Sequence, residues 1–534
     1  MIVIRDNNIY YTFNNIYTMP FDLQNYYIKY KKTIDQFPYL DVKLVSSPKQ
    51  PHNIAIASAR TCYNSKGLVW PEEMDRNERS LELRDKIAAS TLAAGHLTTR
   101  QHAHFVFAIN GVSRNVIWQF LHAHPYYNSE QVSQRYVEIT GDNWYTLPQK
   151  LMTDEIVEYH KNAINFYNDL NITLKPYVAE LFFKIHRTRA SNRLKYEKDV
   201  LKKTMEISRY IMPVSTNARL YHTISTLTLY RYVRVMLLYG SEEVIALILK
   251  MVQAVNEVDP DLVKEIPDPL TDKIEISGLD SIQSENNRFD TEILKNNNYA
   301  RLVNHNEITP EYLISLSKLL GGSNNYSFDD IFNADKNSLL ADPLFSASLD
   351  PKSRVLNQLH FTFAHKLSHT ADSQEQRHRT LPGTRPFLVN QTSFEPDYIT
   401  PLLIKEVPEV QKSYDQYMEK TFHMIKKLHL GGISQHDATY LLPNAHPVRY
   451  YESGDYLNFY HKWKARLCYN AQEEIFYSAL EEVKQINARF PFLAKYIGPP
   501  CLLRNNIKPR CPEGDRYCGV KVWKLSLSDY SRLI

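Results

Sequence analysis

The chain is poor in several features that would place it in a specialised class of protein. Only five of its 534 residues are cysteine, too few for a disulfide framework, so we expect a cytoplasmic, reducing location. Basic residues outnumber acidic ones by 63 to 59, and a net charge of +4 is too small for a nucleic-acid coat. No apolar run approaches the length of a membrane span, and the first residues lack a signal-peptide pattern. We therefore expect neither a membrane nor a nucleic acid among the partners.

The composition that is present is that of a globular protein with more than one core. Apolar residues make up 43% and charged residues 23% of the chain, and its length predicts two to four domains. We expect an N-terminal extension at 1–40, domains at 41–265 and 266–498, and a cysteine-containing tail at 499–534. Prolines mark the central boundary, and the polar stretch 275–300 is typical of a linker or a surface excursion.

Local patterns predict the elements that carry the later motifs. Val42 to Val45 reads as a strand. Ser80 is a candidate cap for a helix over 81–94, and Ser241 for a helix from Glu242 to about Glu257. A strand is predicted at 104–109, with a turn at Asn110-Gly111. Helices are expected to dominate between these motifs.

The second half of the chain repeats the first half weakly but in order. The repeated features are an aromatic strand, a serine with a glutamine six residues later, and a proline with an arginine six residues later. The paired positions are His104–Ala108 with His360–Ala364, Ser113 and Gln119 with Ser368 and Gln374, and Pro213 and Arg219 with Pro443 and Arg449. Several matches in one order predict a duplicated domain, with chance similarity as the alternative.

One short stretch concentrates the chemistry. Gln374 is followed by Arg377-His378-Arg379. The planar forks of the two arginines suit a phosphate or an anionic ring, and the histidine can hold a ring or move a proton near neutral pH. A solvated basic patch is the alternative interpretation of an isolated triplet.

These motifs together resemble the flavin-dependent thymidylate synthases, in a tandem and diverged form. The resemblance covers residues 42–260 and 285–495. In the first copy it is carried by Ala59–Tyr63, His96–His102, Phe105–Phe107, Gly111–Arg114, Gln119 and Ser133–Tyr136. In the second copy it is carried by Phe361–Phe363, Gln374, Arg377–Arg379 and Arg466–Ile475. The resemblance implies an α+β fold with two homologous domains, each helix-rich around a small antiparallel sheet.

The two copies are complementary with respect to the family pattern R-H-R-x-x-S-x-N-x-x-S-x-R. The first copy reads His122-Ala123-His124 at the R-H-R position but keeps Ser133 and Arg135, whereas the second keeps R-H-R and replaces the rest with Thr380–Pro386. The resemblance implies sites shared between the subunits of a homotetramer. We therefore expect a site composed from both copies, and a homodimer that imitates the tetramer.

The implied reaction is the reductive methylation of dUMP to dTMP by a methyltransferase that uses FAD, with NADPH and methylenetetrahydrofolate as co-substrates. The resemblance implies that the catalytic residues are Arg377, His378 and Arg466. It implies that the cofactor-binding residues are Arg377, His378, Arg379, His96, Thr98, Glu130, Arg466 and Asn470. It implies that the substrate-binding residues are Gln374, Arg377, Ser133, Arg135 and Arg219.

One departure from the family leaves alternatives open. The family places an arginine that ionises the uracil ring directly after the A-Q-x-E-I segment, and Phe476 stands there in this chain. The matching position of the first copy is expected to be Ala246, with the helix glutamate lost and Met236 in place of Arg466. The alternatives are a flavoenzyme of this fold that modifies another pyrimidine nucleotide, and a non-catalytic nucleotide-binding homologue.

The tail is a separate feature to which the resemblance does not extend. Cys501, Cys511 and Cys518 lie within 18 residues of a segment rich in proline and arginine. Such clustering predicts a structural metal, because few other forces order a short loop of this kind. The spacing fits no standard zinc pattern and no fourth ligand is evident, so buried thiols or a redox pair are the alternatives.

Overall fold

A computed structural model of the chain describes the backbone of residues 2–5 and 8–11 and all atoms of residues 21–140, 144–295, 297–320 and 326–534. Within these residues, nine strands lie in a hairpin and two larger sheets, all antiparallel. The strands, in order, are β1 (Ile2–Arg5), β2 (Asn8–Tyr11), β3 (Asp41–Ser46), β4 (His104–Ser113), β5 (Asn128–Gln131), β6 (Asn217–Ser225), β7 (Ala300–His305), β8 (His360–Ser368) and β9 (Pro447–Asp455). Of the predicted N-terminal extension, residues 1, 6, 7 and 12–20 lie outside the described residues.

Helices cover the sheets and supply most of the mass. The α-helices of eight or more residues in the described part of the chain are Pro51–Thr61, Glu78–Ala93, Asp154–Ile185, Glu197–Ser208, Thr226–Val235, Glu242–Asn256, Leu279–Arg288, Pro310–Leu319, Pro408–Leu430, Tyr456–Arg466 and Glu473–Arg489. Shorter helices include Leu23–Lys29, Lys31–Asp35, Arg114–Val116, Pro260–Lys264, Phe328–Phe332, Ser338–Ala341, His369–Glu375, Leu402–Lys405, Gln435–Thr439 and Pro500–Leu503. Among the residues described, no helix is both long and apolar enough to span a bilayer.

The first sheet has the order β3-β4-β6-β5. The predicted strand at Val42–Val45 is confirmed, but the predicted turn at Asn110-Gly111 is wrong, because β4 runs on to Ser113. The ladder with β6 shifts register between Asn110 and Val112. Gly111 lies in this bulge at φ +73°, where an added Cβ would meet the Tyr39 carbonyl oxygen at 2.2 Å.

The second sheet repeats the first with one strand missing. Its order β7-β8-β9 corresponds to β3-β4-β6. In place of β5, a bridge joins Gly383 to Glu452. Pro382 and Pro386 flank this bridge, and proline cannot donate to a strand ladder. The two homologous domains are thus alike in their sheets except at the strand that follows the R-H-R position.

Reciprocal backbone bonds relate the two halves by an approximate two-fold. Val214 N donates to Leu442 O at 2.8 Å, and Asn444 N donates to Met212 O at 2.7 Å. Pro213 and Pro443 face each other at the centre of this seam. Two of the hydrophobic cores, including the largest one, contain residues of both halves, so the seam is buried.

A buried glutamate in each half follows the same symmetry. Glu243 accepts from the Ser113 hydroxyl at 2.7 Å and from the Tyr440 hydroxyl at 2.9 Å. Glu474 accepts from the Ser368 hydroxyl at 2.6 Å and from the Tyr210 hydroxyl at 2.5 Å. The prediction that the first copy has lost its helix glutamate is therefore wrong.

The shared register of these helices also changes one predicted pairing. Ser241 and Gln472 both occupy the cap position, and Glu243 and Glu474 both occupy the second helical position. Phe476 therefore corresponds to Ile245 and not to Ala246. The predicted Ser241 cap is confirmed, since its side chain accepts from Val244 N.

Two other local predictions differ from the structure. Asn77 rather than Ser80 caps the helix Glu78–Ala93, because its side chain accepts from Ser80 N. The stretch 275–300, expected to be a linker or a surface excursion, contains the helix Leu279–Arg288 and a π-helical turn at Phe289–Ile293 and is therefore not an unstructured linker. The helix is anchored through Asn286, whose side chain donates to Gln391 O at 2.8 Å.

Candidate active site

A cavity of about 550 Å³ lies between the two halves. Its wall from the first half is the segment 127–136, which contains β5 and the loop after it. Its wall from the second half is the end of the helix His369–Glu375 and the segment that follows. A volume of this order suits a nucleotide-sized ligand.

The first half presents its side chains through the sheet. β5 pairs with β6, and the ladder continues one residue further because Val132 N donates to Arg219 O at 2.9 Å. The Ser133 hydroxyl then accepts from Arg135 N at 3.1 Å, which shapes the loop. Arg135 forms an ion pair with Glu206 through its Nε atom. Burial alone would raise the pKa of Glu206, but the charges of Arg135 and Lys203 lower it to about 2.

The second half presents its side chains from a capped helix. The Ser368 hydroxyl accepts from Ala371 N at 3.1 Å at the start of the helix His369–Glu375. At its end, Arg466 Nη2 donates to Gln374 O at 2.5 Å, and Arg466 Nε lies 3.3 Å from Glu375 Oε1. A cation at the C-terminus of a helix is stabilised by the unpaired carbonyls there. Arg466 therefore holds the turn from which Gln374 and Arg377 reach the cavity.

Four contacts at the cavity join the halves. Arg377 Nη2 lies 2.9 Å from Glu130 Oε1, and both side chains are largely exposed. Arg379 Nη1 donates to Asn128 Oδ1 at 2.7 Å. Arg135 Nη1 donates to Gln374 Oε1 at 3.4 Å, and its Nη2 donates to Asn470 O at 3.1 Å. The R-H-R segment of one half thus meets the S-x-R loop of the other.

The cavity carries a strong positive charge. Its lining contains five arginines and one glutamate, Glu130; the arginines are Arg114, Arg135, Arg209, Arg377 and Arg379. Burial, with the nearby charge of Arg209, lowers the pKa of Arg114 to about 9. Burial also lowers the pKa of Arg209, to about 10. Both shifts mean that an anion in the cavity would stabilise these guanidinium groups.

Several lining side chains have buried polar atoms without a partner among the described residues. These atoms are Arg114 Nε, Arg209 Nε, Gln134 Nε2, His122 Nε2 and Ser129 Oγ. An unpaired buried donor costs about 1–3 kcal/mol. A wall with several such donors is therefore suited to a ligand rich in acceptor oxygens.

The predicted site residues divide into two groups. The structure brings Gln374, Arg377, Arg379, Glu130, Ser133 and Arg135 to the cavity. The remainder, which lie outside its lining, are His378, Arg466, Asn470, Arg219, His96 and Thr98. His378 is buried with its ring 5.8 Å from that of His461, and burial, with the charges of Arg466 and Lys462, holds its pKa well below the usual value.

The other predicted residues outside the cavity lining lie in different parts of the structure. The Asn470 side chain donates to Arg516 O at 2.8 Å, in the tail. Arg219 is exposed on the face of β6 that also carries Tyr221 and Thr223, two residues of the cavity wall. His96 and Thr98 are exposed at the 3₁₀ turn Leu97–Gln101, away from the cavity.

Sequence analysis missed several members of the wall. Arg114, Arg209, Thr370, Ser373 and Asn444 line the cavity without having been assigned to it. Arg114 belongs to the motif Gly111–Arg114, so that motif could have predicted its place at the site. Arg209 and Asn444 reach the site only because the seam between the halves places them there.

Phe476 does not face the cavity. It is fully buried, with its ring 5.1 Å from that of Tyr469 and the Arg532 guanidinium 5.3 Å from its centroid. The tail therefore covers this position with Arg532 and Tyr530. Buried cations reach the cavity lining instead from Arg114 and Arg209.

The chain is similar in sequence to proteins of known family. The sequence profile of the family described as thymidylate synthase complementing protein matches residues 43–261 and 313–492. A flavin-dependent thymidylate synthase of Clostridium tetani is 26% identical over 230 residues, which span 42% of this chain and 85% of that protein. A protein of the same name from Sulfurisphaera tokodaii is 29% identical over 160 residues, which span 28% of this chain and 60% of that protein.

A solved structure was also compared. The UMP/dUMP methylase PolB of Streptomyces cacaoi, bound with 5-Br dUMP, aligns with a TM-score of 0.29 and 15% identity. The alignment covers 42% of this chain and 93% of that one. A likeness of this size carries no argument about function.

Proposed function

The chain belongs to the thymidylate synthase complementing protein family, and from that premise we propose that it is an FAD-dependent thymidylate synthase-like enzyme. The proposed reaction transfers a one-carbon unit from methylenetetrahydrofolate to dUMP, with NADPH as reductant. The observation that carries the proposal is the composite cavity, in which five arginines and several unpaired buried donors surround a nucleotide-sized space.

Arg377 and Arg379 are proposed to hold phosphate oxygens. The pair between Arg377 and Glu130 is largely exposed, and such pairs contribute only about 0–1 kcal/mol. An incoming phosphate dianion can therefore displace Glu130 and take both guanidinium donors. Ser133 and Arg135, on the opposite wall, would orient the same ligand.

Arg114 and Arg209 are proposed to supply the cation that Phe476 does not. Both are buried at the cavity, and each has an unpaired Nε–H. A buried guanidinium that faces a uracil ring would stabilise negative charge as it develops on that ring. Arg209 is held for this role by Gln472, whose Oε1 accepts from its Nη2 at 2.5 Å.

The donor set also fits a flavin nucleotide, whose pyrophosphate needs cations and whose ring needs flat neighbours. His122 stacks on Tyr127 at 4.5 Å in the cavity wall, and Arg379 lies 5.4 Å from the Tyr127 centroid. Bound FAD, reduced by NADPH, would supply the hydride. Arg377, Arg379 and Glu130 would contact it from this chain.

A second copy of the chain is proposed to complete the cofactor site. His96 and Thr98 are exposed and lie outside the cavity lining. In a homodimer these side chains can reach the cavity of the partner, which would reproduce a four-domain assembly. The domain units 41–265 and 266–498, the cytoplasmic location, and the origin of the two halves by duplication are part of the same proposal.

A flavoenzyme that modifies another pyrimidine nucleotide is the second candidate. The observation that favours it is Phe476, which removes a charge from the position that the family uses to ionise uracil. The two candidates share the cavity and differ only in the base that Arg114 and Arg209 meet.

An absorbance spectrum tests the proposal directly. The purified protein is examined as isolated, then with anaerobic NADPH, and then with dUMP and methylenetetrahydrofolate. Flavin bands that bleach, followed by dTMP, are the expected result. Bleaching without dTMP supports the second candidate, and a protein that neither contains nor takes up FAD contradicts both in favour of a non-catalytic nucleotide-binding homologue.

A further inference from the structure

Four of the five cysteines meet at one small cavity. Cys468, Cys501, Cys511 and Cys518 all line it, although they come from separate segments of the chain. Cys501 and Cys518 are buried, and the other two are half-buried. Cys62, the fifth cysteine, is exposed at the end of the helix Pro51–Thr61.

The segments that carry these thiols contain little regular structure. The tail is built from turns of three or four residues, the longest being the helix Pro500–Leu503. It nevertheless packs against the main core, which contains Cys501, Cys518 and Val522. Short turns of this kind are poorly ordered unless something ties them down.

We propose that Cys468, Cys501, Cys511 and Cys518 together bind one structural Zn²⁺ ion, which fastens the tail to the second domain. Four thiolates are the donor set of structural zinc sites, and soft sulfur ligands select this ion over Mg²⁺ or Ca²⁺. Cys468, two residues after the helix Tyr456–Arg466, is the fourth ligand that the spacing of the tail cysteines did not reveal.

Burial makes two of these thiols harder to ionise than an ordinary cysteine. Burial raises the pKa of Cys468 to about 11 and that of Cys501 to about 12. Zinc binding therefore releases up to four thiol protons, and its affinity rises with pH.

Zinc binding also requires the tail to close further. Zn–S bonds of about 2.3 Å in a tetrahedron bring sulfur atoms to roughly 3.8 Å from one another. Among the described residues, the group of three whose ligand atoms lie within 4.8 Å of one another is His365, Glu452 and Glu482 rather than any three of these thiols. The ion would therefore draw the turns of the tail inward.

The His365 group is not a competing cation site. The Lys462 ammonium lies 2.5 Å from Glu452 Oε2 and 2.9 Å from Glu482 Oε1. The lysine thus already supplies the positive charge that these carboxylates require.

The zinc site would support the wall of the active-site cavity. Asn470, two residues after Cys468, donates to Arg516 O in the tail at 2.8 Å. The Asn470 carbonyl accepts from Arg135 Nη2 at 3.1 Å. The tail, once fastened, fixes a backbone oxygen that positions Arg135.

Metal content of the full chain tests the proposal. The protein is expressed with added zinc, purified without chelators and analysed by inductively coupled plasma mass spectrometry. We expect about one zinc ion per chain in the wild type and in Cys62→Ser, the matched control. Cys468→Ser and Cys501→Ser are expected to lose zinc by about tenfold or more.

Cobalt substitution of the wild-type protein tests the zinc site even if the cysteine variants do not fold. Co²⁺ is exchanged into the wild-type protein, and thiolate-to-metal absorption with tetrahedral d–d bands is expected. A wild-type protein without zinc and without these bands overturns the proposal, as does undiminished zinc in folded Cys468→Ser. Titration that finds a disulfide among the four thiols also overturns it, in favour of a redox pair.

Discussion

At the scale of residues, the cavity is defined by arginines whose charges are not fully balanced. Arg135 is paired with Glu206, and Arg377 is paired loosely with Glu130. Arg114 and Arg209 are buried with depressed pKa values. Unbalanced cations of this kind do not stabilise the fold, and they favour the binding of an anionic ligand.

Glu206 gives a prediction about pH. Its pKa is about 2 in the folded protein against an ordinary value of 4.5, so its ionisation stabilises the fold above pH 4.5. That contribution, about 3 kcal/mol, is lost as the pH falls from about 4.5 to about 2. We expect urea unfolding of the wild type to show a steeper loss of stability over this window than Glu206→Gln. Parallel pH profiles for the two proteins would contradict the proposed pairing with Arg135.

Residue-scale features were the least predictable from sequence. Gln374, Arg377, Ser133 and Arg135 could be assigned because each belongs to a contiguous motif. Arg209 could not, because its place depends on the seam between halves. The one-residue error that paired Phe476 with Ala246 arose because only the contact of Glu243 with Ser113 fixes the helix register.

At the scale of elements, the halves differ most where β5 is present in one and missing in the other. In the first half β5 opens one wall of the cavity. In the second half, Arg385 lies two residues after the bridge at Gly383 and forms a bidentate pair with Asp372 at 2.7 Å. The second R-H-R segment therefore has a complete partner only in the first half.

The paired arginines Arg219 and Arg449 test this asymmetry. Arg449 is buried and bound by Asp290 at 2.7 Å and Asp397 at 2.9 Å, whereas Arg219 is exposed beside the cavity wall. Arg449→Ala should lower the free energy of unfolding by about 3 kcal/mol, because it removes a buried cation and leaves Asp397 without one, while Asp290 keeps only Lys366. Arg219→Ala should leave stability within about 0.5 kcal/mol of the wild type.

The effects of these two variants on ligand affinity should rank in the opposite order to their effects on stability. We expect Arg219→Ala to weaken dUMP binding, measured by calorimetry, and folded Arg449→Ala to bind as the wild type does. Equal effects of the two variants on affinity would show that the second half retains a working substrate loop.

Elements with strong local signals were predictable, and those set by distant contacts were not. The strand at 41–46 follows from the alternation of apolar and polar residues, and the helix after Ser241 follows from its serine cap. The helix Leu279–Arg288 lies in a stretch expected to be a linker or a surface excursion because its sequence is polar, and its anchoring depends on contacts such as that of Asn286 with Gln391.

At the scale of the whole molecule, the approximate two-fold makes one chain resemble a pair of subunits. Reciprocal backbone hydrogen bonds close the seam at Pro213 and Pro443. Each of the two buried glutamates accepts a hydrogen bond from a tyrosine hydroxyl of the other half. The symmetry explains why a site can be assembled from two incomplete copies of one pattern.

Tyr210 and Tyr440 give a prediction about this symmetry. Each hydroxyl donates to the buried glutamate of the opposite half, so Tyr210→Phe and Tyr440→Phe should destabilise the fold by similar amounts, about 1–3 kcal/mol each. Denaturant midpoints of the two variants provide the comparison. A large effect at one position with none at the other would contradict equivalent roles in the seam.

The composite site itself is tested most directly by dUMP binding to Arg135→Ala and Arg377→Ala, which alter different halves. Arg489→Ala is the matched control, because Arg489 is a half-exposed arginine paired with Glu307 as Arg377 is with Glu130. We predict that each of the first two variants weakens binding by roughly tenfold to a hundredfold, and that the control does not. Wild-type affinity in either Arg135→Ala or Arg377→Ala would contradict a site shared between the two halves.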